Sequence, residues 1–434
     1  MARERRYIPA SEFCASVRDG THDSPKPVEN GRKLVTSRHL TTGRLDLSNA
    51  YLISEQDFEA INKRSKVDRW DVLISMIGTV GEPCLIKEEP NFAIKNIGLF
   101  KTKSEADGKW LYYFLRSNEA QQSIREQSRG TTQQYVPLGA LRDFPILVAD
   151  DPEEQKAIAH ILGTLDDKIE LNRRMNATLE AMARALFQSW FVDFDPVRAK
   201  MDGRRPIGMD EATAGLFPDG FQESAIGHIP EGWDLKTVGD IGNVICGKTP
   251  LTSVSGYYGA DVPFVTIPDM HGKVFAVATA RKLSHSGASS QAGKTLPPGS
   301  LCVSCIATPG LVVITSEDSQ TNQQINSVVP HQKEETYFWY WVMTGLGAEI
   351  ASCGSGGSVL VNLSKGRFET LQVIKPPRAL IRAYHNAARP LFETILAKTH
   401  QSRTLATLRD TLLPKLLSGE LSVKHAIKEV DGSL

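Results

Sequence analysis

The sequence predicts a mixed α/β (α+β) chain with two similar globular domains, separated by two long antiparallel coiled-coil helices and related by an internal pseudo-twofold repeat. Three observations predict it. Asp71-Val-Leu-Ile-Ser-Met-Ile-Gly-Thr-Val-Gly81 is matched about 229 residues later by Ser300-Leu-Cys-Val-Ser-Cys-Ile-Ala-Thr-Pro-Gly310. Each copy is followed by a long apolar stripe in strict 4,3 spacing, the seam of helices that pack along their length. The composition, 41% hydrophobic and 23% charged over 434 residues, is that of a globular protein large enough for two or three domains.

Composition also excludes several classes. Lys plus Arg and Asp plus Glu are 50 each, giving a formal net charge of +0, so a basic surface must be local or shared with a partner subunit. The longest apolar runs, such as Leu311-Val-Val-Ile314, fall far short of a membrane span. Met1-Ala-Arg-Glu-Arg-Arg6 is charged and no apolar signal segment follows it, so no secretory leader is expected. Six cysteines without regular spacing fit free thiols in a reducing cytoplasm.

The first globular domain is expected over 1–151. Its Val/Ile-rich run Asp71–Ile77 reads as a strand, Trp110-Leu-Tyr-Tyr-Phe-Leu115 as an aromatic helical segment for the core, and Arg129-Gly-Thr-Thr-Gln-Gln134 as a polar loop. A central spacer helix over 152–196 carries the seam Ile158, Leu162, Leu165, Ile169, Asn172, Asn176, Leu179, Ala183, Leu186 and Trp190. From Glu153 to Phe191 such a helix is roughly 58 Å long at 1.5 Å per residue. Pro and Gly then punctuate a connector from Asp195 to Trp233, which predicts irregular chain draped over the surface. The connector opens the 197–376 segment, whose globular domain repeats the pattern with Ser300–Ile306, Tyr337-Phe-Trp-Tyr-Trp-Val342 and the loop Gly354-Ser-Gly-Gly-Ser358.

A distal helix and tail occupy 377–434. Its seam is Tyr384, Ala388, Leu391, Ile395, Lys398, Ser402, Leu405, Arg409, Leu412 and Leu416. Lys398 and Ser402 repeat the polar break of Asn172 and Asn176, and a polar layer of this kind fixes register at some cost in stability. Arg409 interrupts the seam, with Leu408 as the substitute, while Pro390 and Pro414 should kink this helix or mark its ends. Met175, Met182, Phe187 and Phe392 are expected to face outward beside the seam, where a partner would dock.

Apparent catalytic motifs do not stand up. Gly242-Asn-Val-Ile-Cys-Gly-Lys-Thr249 matches the P-loop letter for letter, but Pro250 follows where a helix must open to face phosphate. Pro218-Asp219 and Asp234-Leu-Lys236 imitate a nuclease spacing, yet Asp219 sits in the connector rather than on a rigid strand beside a cation. Cys302-Val-Ser-Cys305 lacks the second pair of a zinc site, and residues three apart in a strand point to opposite faces. No HExxH, GxSxG, dinucleotide fingerprint or Asn-Pro-Pro-(Tyr/Phe) run is present.

Three stretches carry a family resemblance: Ile226-Gly-His-Ile-Pro-Glu-Gly-Trp233 leading to Gly247-Lys-Thr-Pro250, Ser189-Trp-Phe-Val-Asp-Phe-Asp-Pro-Val197, and Leu412-Leu-Pro-Lys-Leu-Leu-Ser-Gly-Glu-Leu421. Over essentially its whole length the chain resembles the specificity (S) subunit of type I restriction–modification systems. The resemblance implies a non-catalytic, cytoplasmic subunit with no membrane association. Two target-recognition domains would read the halves of a bipartite, asymmetric target in double-stranded DNA, held apart by the paired helices. It also implies partners: two methyltransferase subunits and restriction subunits. No cofactor is expected in this chain, since S-adenosylmethionine, ATP and Mg would serve those partners.

By side-chain chemistry, the DNA contacts are sought among polar loop residues able to reach base edges and phosphates. In the first domain these are Arg18, Thr21, His22, Arg38, Thr79, Lys95, Asn96, Arg129, Thr131, Gln133 and Gln134. In the second they are Lys248, Thr249, Thr308, Asn322, Gln323, Gln324, Ser355 and Ser358. The residues expected to pair the helices are Ile158, Leu162, Leu165, Ile169, Leu179, Leu186, Leu391, Ile395, Leu405 and Leu412. Two other classes remain open from residues alone: a coiled-coil scaffold carrying two protein-binding modules, and an enzyme using the Gly242–Thr249 loop for a nucleotide.

Overall fold

The computed structural model describes residues 5–41, 43–130, 134–353 and 363–431. The chain divides into two compact units, Met1–Glu170 with Arg403–Leu434, and Leu171–Ser402. Among the described residues no helix is long and apolar enough to cross a membrane.

Among the described residues of the first unit the principal strands are β1 (Arg5–Pro9), β2 (Ser16–Asp19), β3 (Arg32–Val35), β4 (Val72–Ser75), β5 (Pro83–Leu85), β6 (Phe92–Ile94), β7 (Ile97–Lys101) and β8 (Pro145–Ala149). The main sheet has the order β2-β7-β4-β5 and is antiparallel throughout. β1 pairs antiparallel with β8, and β3 lies parallel to β6. Helix α1 (Glu105–Leu115) begins at Ser104, whose hydroxyl accepts from the Asp107 N–H. It buries Trp110, Leu111, Phe114 and Leu115 completely or almost so, as the aromatic run requires, and the Trp110 indole N–H donates to the Leu147 carbonyl at 2.7 Å.

The second unit repeats this topology strand for strand: β9 (Asp234–Thr237), β10 (Gly242–Cys246), β11 (Val262–Val265), β12 (Leu301–Ser304), β13 (Val312–Thr315), β14 (Gln320–Thr321), β15 (Ile325–Pro330) and β16 (Gln372–Lys375). Its sheet runs β10-β15-β12-β13, with one further short strand, Phe275–Ala276, at the edge. β9 pairs with β16, and β11 lies parallel to β14. The repeat reaches individual hydrogen bonds. Ser75 Oγ donates to the Thr79 carbonyl and accepts from Glu82 N at 2.8 Å; Ser304 Oγ donates to the Thr308 carbonyl and accepts from Leu311 N at 2.9 Å.

The long helices, the central α2 (Pro152–Phe191) and the distal α4 (Arg378–Leu417), each contribute to both units, and α3 (Thr336–Gly345) is the second unit's counterpart of α1. Every apolar seam residue named above is buried or half-buried. In the second unit the Asn172 carboxamide donates to Gln401 Oε1 at 2.9 Å and Ser402 Oγ at 3.3 Å, and Asn176 donates to Thr399 Oγ1 at 3.2 Å. The Tyr384 hydroxyl donates to the Ala183 carbonyl at 3.2 Å. Partner numbers fall on one helix as they rise on the other, so the helices run antiparallel there. In the first unit Asp166 meets Arg409.

Several expectations need correction. Arg409 keeps a place between the helices, where it faces Asp166, and Leu408 packs beside it against the first unit's core. Of the two expectations for Pro390 and Pro414, that they mark helix ends fails, since α4 continues through both. Phe187 and Phe392 do not face outward: each flanks the seam on the side where the second globular domain packs. Phe392 stacks on Tyr337 with ring centroids 4.2 Å apart, and Phe187 lies 5.7 Å from Phe338. Met175 and Met182 are exposed.

The connector is also more ordered than its Pro/Gly content predicts. Phe194 adopts a left-handed conformation (φ 56), and Pro196 opens a short helix over Asp195–Met201. Phe221–Ser224 and Gly227–Pro230 form a hairpin. Aromatic side chains hold the segment to the core: Phe194 and Phe217 are buried, Phe194 edges Trp233 at 5.6 Å, and Phe217 meets Trp190 at 5.4 Å. The Ser189–Val197 stretch thus works as a helix stop, with Ser189 Oγ donating to Asp195 Oδ2 at 2.7 Å. A last helix, α5 (Val423–Asp431), buries Ala426 and Val430 in the first unit's core.

Candidate nucleic-acid interface

Strand direction decides which loops meet. In the first unit Ser75 is registered with Ile97, and Asp19 with Gly98. The end of β2, the end of β4 and the start of β7 therefore lie at one end of the sheet. From them project Gly20-Thr21-His22, the Ile77–Gly81 turn and Lys95-Asn96. In the second unit Cys246 is registered with Asn326, and Ser304 with Ile325. Lys248-Thr249, the turn carrying Thr308, and Asn322-Gln323-Gln324 consequently project from the equivalent end.

At the first of these ends the predicted residues form one connected group. His22 lies between Asn96 Oδ1 (2.8 Å at Nδ1) and Asp19 Oδ2 (3.0 Å at Nε2). Lys95 Nζ donates to Ser24 Oγ, and Asn96 holds a left-handed φ of 54 while its N–H donates to the Thr21 carbonyl at 3.1 Å. Ser37 Oγ donates to the Asn96 carbonyl at 3.2 Å, which brings the turn bearing exposed Arg38 alongside. Gly78 N donates to the Gln134 carbonyl at 3.2 Å, and Arg129 exchanges backbone hydrogen bonds with Tyr135, so Thr79, Arg129 and Gln134 form the neighbouring rim. Arg18 stands exposed on the edge strand β2, its guanidinium donating to the Arg64 carbonyl at 2.7 Å. Thr131 and Gln133 lie outside the described residues.

Residue types alone did not reveal the support beneath this group. Asp19 is buried, and Arg64 Nη2 donates to its Oδ1 at 3.0 Å and to the Gly20 carbonyl at 2.8 Å. The Arg18-Asp19 pair in the sequence is the only local hint, because Arg64 arrives from a distant helix, Glu55–Ser65. His39 Nδ1 accepts from Thr36 N at 2.8 Å, and burial, then Arg38, holds its pKa below the usual histidine value.

The second end presents amides and hydroxyls. Thr249 Oγ1 donates to Gln323 Oε1 at 2.7 Å, and Asn322 Nδ2 donates to Gln324 Oε1 at 3.0 Å. Lys248 is exposed, its backbone N–H donating to the Thr321 carbonyl at 2.9 Å, and Gln291, which the sequence did not single out, donates to the Lys248 carbonyl at 2.8 Å. Thr308 is exposed after Ala307, which has φ 63. Ser355 and Ser358 lie outside the described residues.

The Gly242–Thr249 match is a strand running into a turn: no helix opens at Lys248-Thr249, and the geometry that would cradle phosphate is not formed. Gly247 serves another purpose, since a Cβ there would lie 2.1 Å from the Asn322 carbonyl oxygen. Cys302 and Cys305 point into separate apolar clusters, and burial pushes their thiols up to about 12 and about 11, which keeps them protonated. Among the described residues no group of three or more His, Cys, Asp or Glu is placed to hold a metal ion.

Comparison with known proteins agrees with this arrangement. The family model for the type I restriction modification DNA specificity domain matches residues 27–181 and again 230–379, once per repeat. The HindI specificity subunit of Haemophilus influenzae is 36% identical over 355 residues, 72% of this chain and 77% of the relative. The MjaIX specificity subunit of Methanocaldococcus jannaschii is 26% identical over 339 residues, 73% of this chain and 70% of the relative. A crystal structure of a type I restriction–modification S subunit from M. genitalium, 16% identical, shares the fold with a TM-score of 0.56 over 95% of this chain and 96% of its own. Two matched domains, long coverage by named specificity subunits and the shared fold place this chain in one family: it belongs to the type I restriction–modification DNA specificity subunits.

Proposed function

We propose that this chain reads a bipartite, asymmetric target in double-stranded DNA, one half with each globular domain. The observation that carries the proposal is the equivalence of the two sheet ends combined with their difference in chemistry. One presents Arg18, His22, Arg38, Lys95, Asn96 and Arg129; the other presents Lys248, Thr249, Thr308 and Asn322–Gln324. Different donors and acceptors at equivalent places select different base edges in the major groove. α2 and α4 act as the spacer that sets the gap between half-sites. In this reading the chain performs no chemistry. It works in the cytoplasm with two methyltransferase subunits and with restriction subunits, where S-adenosylmethionine, ATP and Mg are used.

With a formal net charge of +0, the chain alone has little long-range attraction to phosphates, so tight binding requires the methyltransferase partners. The test is to map methylated adenines in a host with and without the gene, then with Thr249→Ala/Gln323→Ala and with Arg38→Ala/Arg129→Ala. Each pair should relax one half-site and leave the other intact. A continuous palindromic target, or relaxation of both halves by one pair, overturns the proposal.

A further inference from the structure

Leu251 is an apolar exception on a polar rim. It is 68% exposed and Val254 is 38% exposed; they are the only exposed large hydrophobic residues described between Asp234 and Lys375. A scattered exposed leucine is ordinary on a protein surface. This one sits two residues beyond Thr249, on a turn anchored at several points. Val254 N donates to the Leu251 carbonyl at 3.2 Å, the Tyr258 hydroxyl to the Pro250 carbonyl at 2.9 Å, and Thr249 Oγ1 to Gln323 at 2.7 Å. Leu251 is thus displayed in a fixed place beside Lys248, Thr249 and Gln323.

The first domain answers with different chemistry at the matching place. Gly20 and Gly247 are equivalent: each follows the first strand of its sheet, and a Cβ on either would strike a carbonyl oxygen, Ile94 at 2.4 Å or Asn322 at 2.1 Å. Counting four residues on from each glycine reaches Ser24 in one domain and Leu251 in the other. Ser24 Oγ accepts from Lys95 Nζ, so the first domain has a hydroxyl bonded to an ammonium group where the second has Leu251, while the counterpart of Lys95 itself is Gln323. An ammonium suits guanine O6 and N7. A leucine side chain has one apolar counterpart on the base edges of the major groove, the C5-methyl group of thymine.

We propose that Leu251 contacts a thymine methyl in the half-site read by the second domain and so helps specify that base pair. The proposal rests on the DNA-reading function above. Leu251 touches neither core nor seam, so its replacement leaves folding intact, which thermal unfolding of Leu251→Ala verifies.

The experiment uses the chain assembled with its methyltransferase subunits, on duplexes carrying the mapped target. Each thymine of the second half-site is replaced in turn by deoxyuridine, which lacks only the methyl group. One replacement should weaken binding by the wild-type complex roughly four- to tenfold. The Leu251→Ala complex should bind the thymine duplex as weakly as wild type binds the uracil duplex, and lose nothing further on uracil. Uracil in the first half-site should affect both complexes alike. The proposal is overturned if Leu251→Ala binds as wild type does, or if it binds weakly while uracil is tolerated throughout the second half-site, which would make Leu251 a wedge between base steps. Absence of sequence-specific binding by the wild-type complex would instead overturn the DNA-reading function itself.

Discussion

The Arg409 guanidinium donates to the Asp166 carboxylate across the two long helices of the first unit, with 12% and 14% of the two side chains exposed. Asp166 also accepts from the Tyr113 hydroxyl at 2.8 Å and lies 3.5 Å from Arg116 Nη1. One carboxylate therefore joins α1, α2 and α4. Burial opposes the charge on Arg409, but Asp166 and Asp410 together outweigh it and raise the pKa of the guanidinium further above its usual value.

Removing one partner of this pair should cost more than removing both. Arg409→Leu leaves Asp166 facing a low-dielectric seam and is expected to lower stability by roughly 3 kcal/mol in urea unfolding. Asp166→Leu combined with Arg409→Leu should recover part of that loss, because an apolar pair continues the seam while the buried Tyr113 hydroxyl loses its acceptor. Equal losses in the single and double variants would show that the ion pair itself is the stabilising element.

The polar layer should trade stability for register. Asn172 is fully buried and donates to Gln401 and Ser402. Asn172→Leu with Ser402→Leu is expected to raise Tm by about 2–4 °C. The same variant should methylate sites with altered gaps between half-sites, since a uniform apolar seam no longer distinguishes neighbouring registers. A higher Tm with a single unchanged gap would show that register is fixed elsewhere.

Acidification should weaken the fold through His39. Its folded pKa is lowered, so the unfolded chain binds the proton more readily, and stability is present above the ordinary histidine range and falls as pH drops through it. His385 shifts in the same direction in the second unit, with burial again the leading cause. Between pH 7 and pH 5, His39→Gln should reduce the slope of unfolding free energy by up to about 1.4 kcal/mol per pH unit. An unchanged slope in urea titrations across this range would remove His39 as a contributor.

Helix length should set the gap. Inserting one heptad beside Asn176 and a matching heptad beside Ser402 keeps the seam in phase and adds roughly 10 Å of helix. Duplex DNA advances about 3.4 Å per base pair, so the unspecified spacer should grow by up to about 3 base pairs, less where DNA bending absorbs the change. The bases read in each half should stay the same. Methylome sequencing checks both points, and an unchanged spacer in an active variant would show that the helices are not the ruler.

The sequence by itself determined the repeat, the two long helices and their seam, because a heptad pattern is local and each residue's place in it follows from counting. It also supplied the chemical character of both rims. What only the tertiary structure decided was proximity. Thr21, Thr79 and Asn96 are far apart in the chain, and the antiparallel order β2-β7-β4 brings their loops to one end of a sheet. Asp19 and Arg64 meet beneath them for the same reason. Periodicity likewise identified the face each helix turns to the other but not the third surface that closes over the flanks. Phe187 and Phe392 are buried because a globular domain packs there, and the connector is ordered because Phe194, Phe217 and Trp233 find that core. Such burial depends on residues distant in sequence, which local spacing cannot report.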